Sequence, residues 1–190
     1  HTGRRGPGES SSRGTEDRLA SMDDQVGPIS SKYEISKAMA TQLKSAQFER
    51  MGADWLRTTG GVRWELFLSV DREDAGDEFD VAFRAVAPAR VASTDDEVLV
   101  ASSLSRLLRR SNRYKSLQPL AEDLESSLLP TIDAHPNPEA VIAGYLVGRW
   151  DEPGTGAATS LGRAWQSADR LGLTGLRERV EGEISSRRWS

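Results

Sequence analysis

The densest cluster of chemically capable side chains is Arg106-Leu-Leu-Arg109-Arg110-Ser-Asn-Arg113-Tyr114-Lys115, five cations in ten residues with no acid among them. A guanidinium presents a planar fork of N–H donors that matches carboxylate or phosphate oxygens. The run could therefore grip a nucleic-acid backbone or an acidic surface of a partner protein. Cations at the C-terminal end of a helix also gain ~0.3–1 kcal/mol each from the macrodipole, and an acidic chain favours this helix-end role. Trp189, beside Arg187 and Arg188, has the amphipathic bulk of an interface anchor. The residues expected to contact a partner or an anion are Arg106, Arg109, Arg110, Arg113 and Trp189.

Few other chemistries are open. The chain has no Cys and two His, which excludes disulfides, thiolate nucleophiles, thiolate zinc sites and iron–sulfur clusters. His135 stands in Asp133-Ala-His-Pro-Asn-Pro138, an interhelical loop, and no G-x-S-x-G elbow supplies a serine nucleophile for it. Gly154-Thr-Gly-Ala-Ala-Thr-Ser160 lacks the third glycine of a dinucleotide fingerprint, and a Walker A Gly-Lys pair is absent. A calcium loop counted from Asp71 has Ala75 at its fifth position and Ala82 at its twelfth, where ligands are needed, so the stretch from Asp71 to Glu78 reads as solvated hairpin charge. No catalytic, cofactor-binding or metal-ligating residue is assigned. One enzymatic alternative survives, built from carboxylates and guanidiniums in the segment that holds Asp54, Arg57, Arg63 and Glu65.

The whole chain narrows the classes further. It has 190 residues, a formal net charge of −4 and a mean hydropathy of −0.53. The first 21 residues hold four Arg and three acids, so the remainder carries 21 basic and 26 acidic residues. A body of net −5 argues against a nucleic-acid partner. Lysine occurs four times against 21 arginines, a bias expected of a GC-rich, actinobacterial coding sequence. No apolar run approaches the ~18–20 residues of a membrane span, and a cytoplasmic location is the expectation.

These side chains must be positioned by a fold of two kinds of element. Residues 1–21 are dominated by Gly, Ser, Arg and Pro, with one Leu, and read as a disordered tail or an expression remnant. Residues 22–190 read as a single α+β domain. In 30–50, Ile35, Met39, Leu43 and Ala46 form one apolar stripe of a helix. Ser31 and Glu34 stand at the spacing of a capping box, and Gly52 at the C-terminal stop. The period then becomes two: Val62, Trp64, Leu66, Leu68 and Val70 alternate with Arg63, Glu65, Phe67 and Ser69, and Phe79, Val81, Phe83 and Ala85 alternate with Asp80, Ala82 and Arg84. With Asp54–Thr58 before them they predict an antiparallel meander of three or four strands, 89–93 adding an edge strand.

From Thr94 onward the spacing reads as helical. Thr94 would cap a helix bearing Val98, Ala101, Leu104, Leu107 and Leu108, and Leu117 to Leu128 would form another that ends near Pro130. Asn137-Pro138-Glu139 opens the most buried helix, and two more follow at about 157–171 and 174–188, after a Gly-rich loop. Trp64, Trp150 and Trp165 are the expected core tryptophans.

Phe48-Glu-Arg-Met-Gly52-Ala-Asp-Trp55-Leu-Arg57, the strand ending in Ser69, and Phe79-Asp-Val81 together resemble the start of an uncharacterised bacterial α+β family, domain of unknown function 4304. The resemblance covers about residues 30–95. It implies a first helix followed by a meander, with Gly, an aromatic and Arg between them, and it implies no activity. The family's polar run at the end of the second strand is replaced here by Phe67-Leu-Ser-Val70. The functional expectation is a non-enzymatic cytoplasmic interaction module that binds a protein partner or itself, without a cofactor. The carboxylate/Arg enzyme and a nucleic-acid binder through Arg106–Lys115 are the alternatives.

Overall fold

Alternation over Val62–Val70 and Phe79–Ala85 gives two strands with one apolar face and one mixed face that carries Phe67 and Ala82 among its polar residues, and such strands pair where a hairpin returns the chain. The computed structural model, which describes residues 32–73, 76–88, 95–110, 113–150 and 157–187, pairs them over their full length. β1 (Glu49–Met51), β2 (Asp54–Thr59), β3 (Val62–Glu73), β4 (Gly76–Ala87) and β5 (Glu97–Ser103) form one antiparallel sheet in sequence order. β3 and β4 are in register from Arg63↔Val86 to Glu73↔Gly76. The fold is α+β, with five strands where the sequence predicted three or four.

Two strands fall outside the predicted set. The first helical segment is broken at Met39 into α1 (Lys32–Ala38) and α2 (Ala40–Ser45), and β1 begins at Glu49, inside the predicted helix. The helix stop is not Gly52. Gln47 takes the positive φ there, while Gly52, also at positive φ, turns β1 into β2. The larger correction is β5, which replaces a predicted helix from Thr94. Its pairing with β4 carries a bulge between Ala85 and Val86, so Leu99 and Val100 are both buried and the alternation is lost. Val98, Leu99 and Val100 suit a strand by propensity, and the β4 edge supplies the partner. Helix resumes only in α3 (Leu104–Leu107).

The remaining helices cover one face of the sheet. α4 (Leu117–Asp123) runs through a π-helical turn, Leu124–Leu128, into α5 (Leu129–Asp133). Pro130 thus lies inside the helix, not at its end. The wide turn, in which the Leu129 N–H donates to the Leu124 carbonyl, accommodates a proline that has no N–H to donate and crowds the carbonyl four residues back. α6 (Pro138–Leu146) starts as expected, the Asn137 side chain accepting from the Ala140 N–H at 2.8 Å. α7 (Ala157–Arg170) and α8 (Thr174–Arg187) pack as a pair. Residues 1–21, the Ser30 and Ser31 caps, the 89–93 strand, the Gly-rich loop at 153–156 and Trp189 lie outside the described residues.

The core sits between the inner sheet face and the helices. Trp55, Trp64, Leu66, Val81 and Phe83 join Ile35, Leu43, Leu120, Ile142, Tyr145 and Leu161 in one buried cluster. Trp64 and Trp150 are buried and Trp165 is half-buried against the core cluster, as predicted; Trp55 is buried as well. Polar contacts also tie helices to strands: Trp55 Nε1 donates to Ser36 Oγ (2.8 Å), Tyr145 Oη to the Leu99 carbonyl at the bulge (2.9 Å), and Ser167 Oγ to Glu97 (2.8 Å). Gly144 is required by packing, since a Cβ there would collide with the Trp150 indole.

Candidate anion-binding site

The site follows from a mismatch in strand length. β4 has twelve residues, but β5 pairs only with its second half and ends at Ser103, opposite Ala82. The chain turns through α3 and comes back at Tyr114, whose backbone N–H and C=O both bond Phe79 at 2.9 Å. Between these two contacts the edge of β4 is left open at Asp80 and Val81. Ser105 closes it. Its N–H donates to Asp80 Oδ1 (3.2 Å) and its hydroxyl to Oδ2, while Val81 N–H donates to Oδ1 (2.8 Å). Asp80 is 3% exposed. A carboxylate so buried is tolerated because each oxygen accepts hydrogen bonds.

Above this closure lies a concave cavity of about 640 Å³. The outer face of the sheet contributes Ser69 and Asp80, and β5 contributes Ser103. Arg106 comes from α3, while Arg110 and Arg113 come from the returning segment. Ser103 and Ser105 hydroxyls are 3.1 Å apart, and Ser103 Oγ accepts from the Arg106 N–H at 3.5 Å. Three of the four arginines singled out by the sequence thus converge on one polar concavity.

The helix whose end they were expected to complement is short: α3 has four residues, with Arg106 in its last turn. Arg109 instead takes the left-handed position after α3, at φ 55°, closing a Schellman turn in which Arg110 N–H bonds the Ser105 carbonyl and Arg109 N–H the Arg106 carbonyl, both at 2.9 Å. It is exposed and does not line the cavity. Arg110 forms a two-pronged ion pair with Asp123 (Nη2–Oδ1 3.2 Å, the second contact shorter) and lies 5.8 Å from the Tyr114 ring centroid. Tyr114 Oη donates to the same carboxylate at 2.8 Å. Burial, then that hydrogen bond and the Asp123 charge, hold the Tyr114 hydroxyl above the ordinary tyrosine range.

The carboxylate/guanidinium set on the meander does not converge. Arg57 lies on the inner face and pairs with Asp133 of α5 at 2.7 Å. Arg63 and Glu65 lie on the outer face. There Glu65, only 4% exposed, accepts from Arg63 Nε (2.7 Å) and Arg84 Nε, and Arg63 reaches Asp96 at 2.8 Å. These bonds raise the Arg63 pKa further, Glu65 contributing most. Arg84 also stacks on Phe67, its guanidinium carbon 5.0 Å from the ring centroid. Both Glu65 oxygens are thus engaged in a sheet-face network.

No family model, curated protein or solved structure matches the chain. The functional reading rests on the residues themselves. His135 is half-buried, its Nδ1 2.6 Å from the Thr131 carbonyl and its ring 4.8 Å from Trp150, a structural placement. A second cavity, of about 290 Å³, lies between Gly60, Pro88, Pro138 and Leu173 and is mainly apolar. Gly60 is needed at its edge, because a Cβ would strike the Pro136 carbonyl. No helix among the described residues is long and apolar enough to cross a membrane. What the sequence missed at the arginine cavity is its floor. Asp80 and Ser69 are directly paired across β3 and β4, more than twenty residues before the basic run. A charged residue between Phe79 and Val81 was the available signal.

Proposed function

We propose that the chain is a non-enzymatic protein-interaction module, and that the arginine-lined cavity is its docking site for anionic side chains of a partner's acidic segment. The observation that carries this reading is the convergence of Arg106, Arg110 and Arg113 on one concavity. Its charge is complementary to an acidic segment, which would be steered to it and held by charge-assisted hydrogen bonds. A nucleic-acid backbone is a weaker fit. It would need a basic stripe along several phosphates, and here the arginines surround a single hollow on a chain of net −4. The enzymatic reading loses its support when Arg57 and Glu65 are found on opposite faces of the sheet. A bacterial, cytoplasmic setting, suggested by the arginine bias, belongs to the same proposal. So does kinship with domain of unknown function 4304, which agrees with the order of first helix and meander.

Fluorescence anisotropy with a labelled hexaglutamate peptide tests it. The wild-type protein is expected to bind this probe and not a glycine–serine control. The triple variant R106Q/R110Q/R113Q should lose at least tenfold in affinity. Equal binding of both peptides, retention of affinity by the variant, or tighter binding of duplex DNA than of the acidic peptide at the same salt would overturn the reading.

A further inference from the structure

We propose that Asp123, which lies outside the lining, is a built-in competitor for the docked anion: it holds the Arg110 guanidinium and so lowers the affinity of the cavity for an acidic segment. The inference rests on the docking reading above and names the control of that site. The lining arginines are not bare charges. Arg106 and Arg113 have interactions of their own, and Arg110 is paired with Asp123 through both Nη atoms. That pair is the starting observation, because Arg110 both lines the cavity and is bonded to a carboxylate behind it.

Asp123 is the last residue of α4, immediately before the π-helical turn. Its side chain is 15% exposed, against 48% for that of Arg110. Tyr114 Oη donates at 2.8 Å to the carboxylate oxygen that Arg110 Nη1 also reaches, so the acid is anchored from two sides. The bonds from Nη1 to Oδ2 and from Nη2 to Oδ1 take one N–H from each end of the fork. Three of the five guanidinium donors, the Nε–H among them, lie outside this pair. A ligand carboxylate would be received by these three. It would then share one guanidinium with Asp123, and two carboxylates on one guanidinium repel each other.

Two effects of Asp123 oppose each other. It orders Arg110, and ordering a long side chain in advance favours binding by roughly twofold to tenfold. Its charge works against a bound anion, by roughly threefold to tenfold at a separation of ~7 Å in a partly hydrated site. Asp123→Asn separates the two. An amide has nearly the shape of a carboxylate, and its oxygen still accepts from Arg110 or Tyr114, so the order is kept while the charge is removed. The Tyr114 ring, its centroid 5.8 Å from the Arg110 guanidinium carbon, stays in place as well. Arg110 is left with an unmet charge beside the cavity, which an acidic ligand satisfies.

The test is a double-mutant cycle of D123N and R110Q on the full chain, read by anisotropy with labelled hexaglutamate. D123N should bind this probe about threefold or more tightly than the wild type, with an affinity that falls more steeply as salt is added. In the R110Q background the same change should move affinity by less than about twofold, because Asp123 acts through Arg110. E122Q removes the neighbouring exposed charge, whose carboxylate accepts from Gln118 Nε2 at 3.0 Å, and should leave affinity within about twofold of the wild type. Unchanged or weaker binding by D123N, or an equal gain from E122Q or in the R110Q background, would overturn the proposal. The Arg110 Nε–Hε NMR signal of the wild-type chain should shift as hexaglutamate saturates it; a signal that does not move would overturn the proposal even if D123N folds poorly. Wild-type binding with no gain in D123N would overturn this inference and leave the docking reading standing. Binding no tighter than that of the glycine–serine control, by wild type and D123N alike, would overturn both.

Discussion

The two faces of the sheet solve different problems with the same strands. On the inner face Trp64, Leu66, Val81 and Phe83 are excluded from water by the helices. On the outer face Glu65, Arg63, Arg84 and Asp80 sit among hydrogen bonds and ion pairs. Burial of apolar area drives the first, at about 25 cal/mol per Å². The second gains little net energy, because desolvation offsets most of the attraction in an ion pair. An arrangement that contributes little to stability yet places three arginines over an ordered carboxylate is better explained by what it binds. The inner face makes the fold, and the outer face carries the site.

This contrast can be broken first at the core. Trp64, with no exposed surface, contacts the Phe83 and Trp150 rings at centroid distances of 6.3 and 6.4 Å. Trp64→Ala should cost about 3–5 kcal/mol in denaturant unfolding. A loss below about 1 kcal/mol would mean that the inner face is not the main source of stability.

Next comes the boundary between the faces. Asp80→Ala leaves the Val81 N–H, the Ser105 N–H and the Ser105 hydroxyl without their acceptor. Removing a buried acceptor costs about 1–3 kcal/mol, so the variant should be less destabilised than Trp64→Ala. Hydrogen exchange should quicken at Ser105 and leave Phe83 protected. Uniform loss of protection would show that the closure at β4 is part of the global fold and not a local brace for the cavity.

Legibility divides along the same line. Periodicity reports burial, so strands that bury one face show it: Val62 to Val70 and Phe79 to Ala85 were readable residue by residue. β5 was not, because the bulge at Ala85/Val86 buries both Leu99 and Val100, and Leu104, Leu107 and Leu108 extend its apolar residues at helical spacing. Pro130 misled for a related reason: a π-helical turn lets a helix continue where a proline would ordinarily end it. At the site, the basic run marked Arg106, Arg110 and Arg113. Their convergence depends on where β5 stops against β4, a long-range fact that local spacing does not encode.

Smaller effects sharpen the comparison. The Tyr114 hydroxyl is held above its unfolded value, first by burial and then by its bond to Asp123. The folded state therefore keeps this proton where the unfolded chain, with a tyrosine pKa of about 10, releases it. Its contribution to stability is complete below pH ~10 and is lost as pH rises beyond that. Tyr114→Phe should lower neutral-pH stability by about 1 kcal/mol and flatten the decline between pH 10 and 12 relative to wild type. A decline as steep in the variant would assign it to other groups. Least of all, Glu183→Gln breaks an exposed i,i+4 pair with Arg187 at 2.8 Å, and the change should stay within about 0.5 kcal/mol by thermal unfolding.

The central claim, that the arginine cavity of the outer face is the docking site, is tested most directly by a nitrogen–proton NMR titration of the full chain with hexaglutamate. The account predicts that amide shifts concentrate at Ala82, Ala101, Ser103, Ser105 and Arg106, while Gly61, Leu171 and Leu173 around the apolar cavity stay unmoved. Shifts clustered at the apolar cavity, or none at the arginine cavity with saturating peptide, would contradict it.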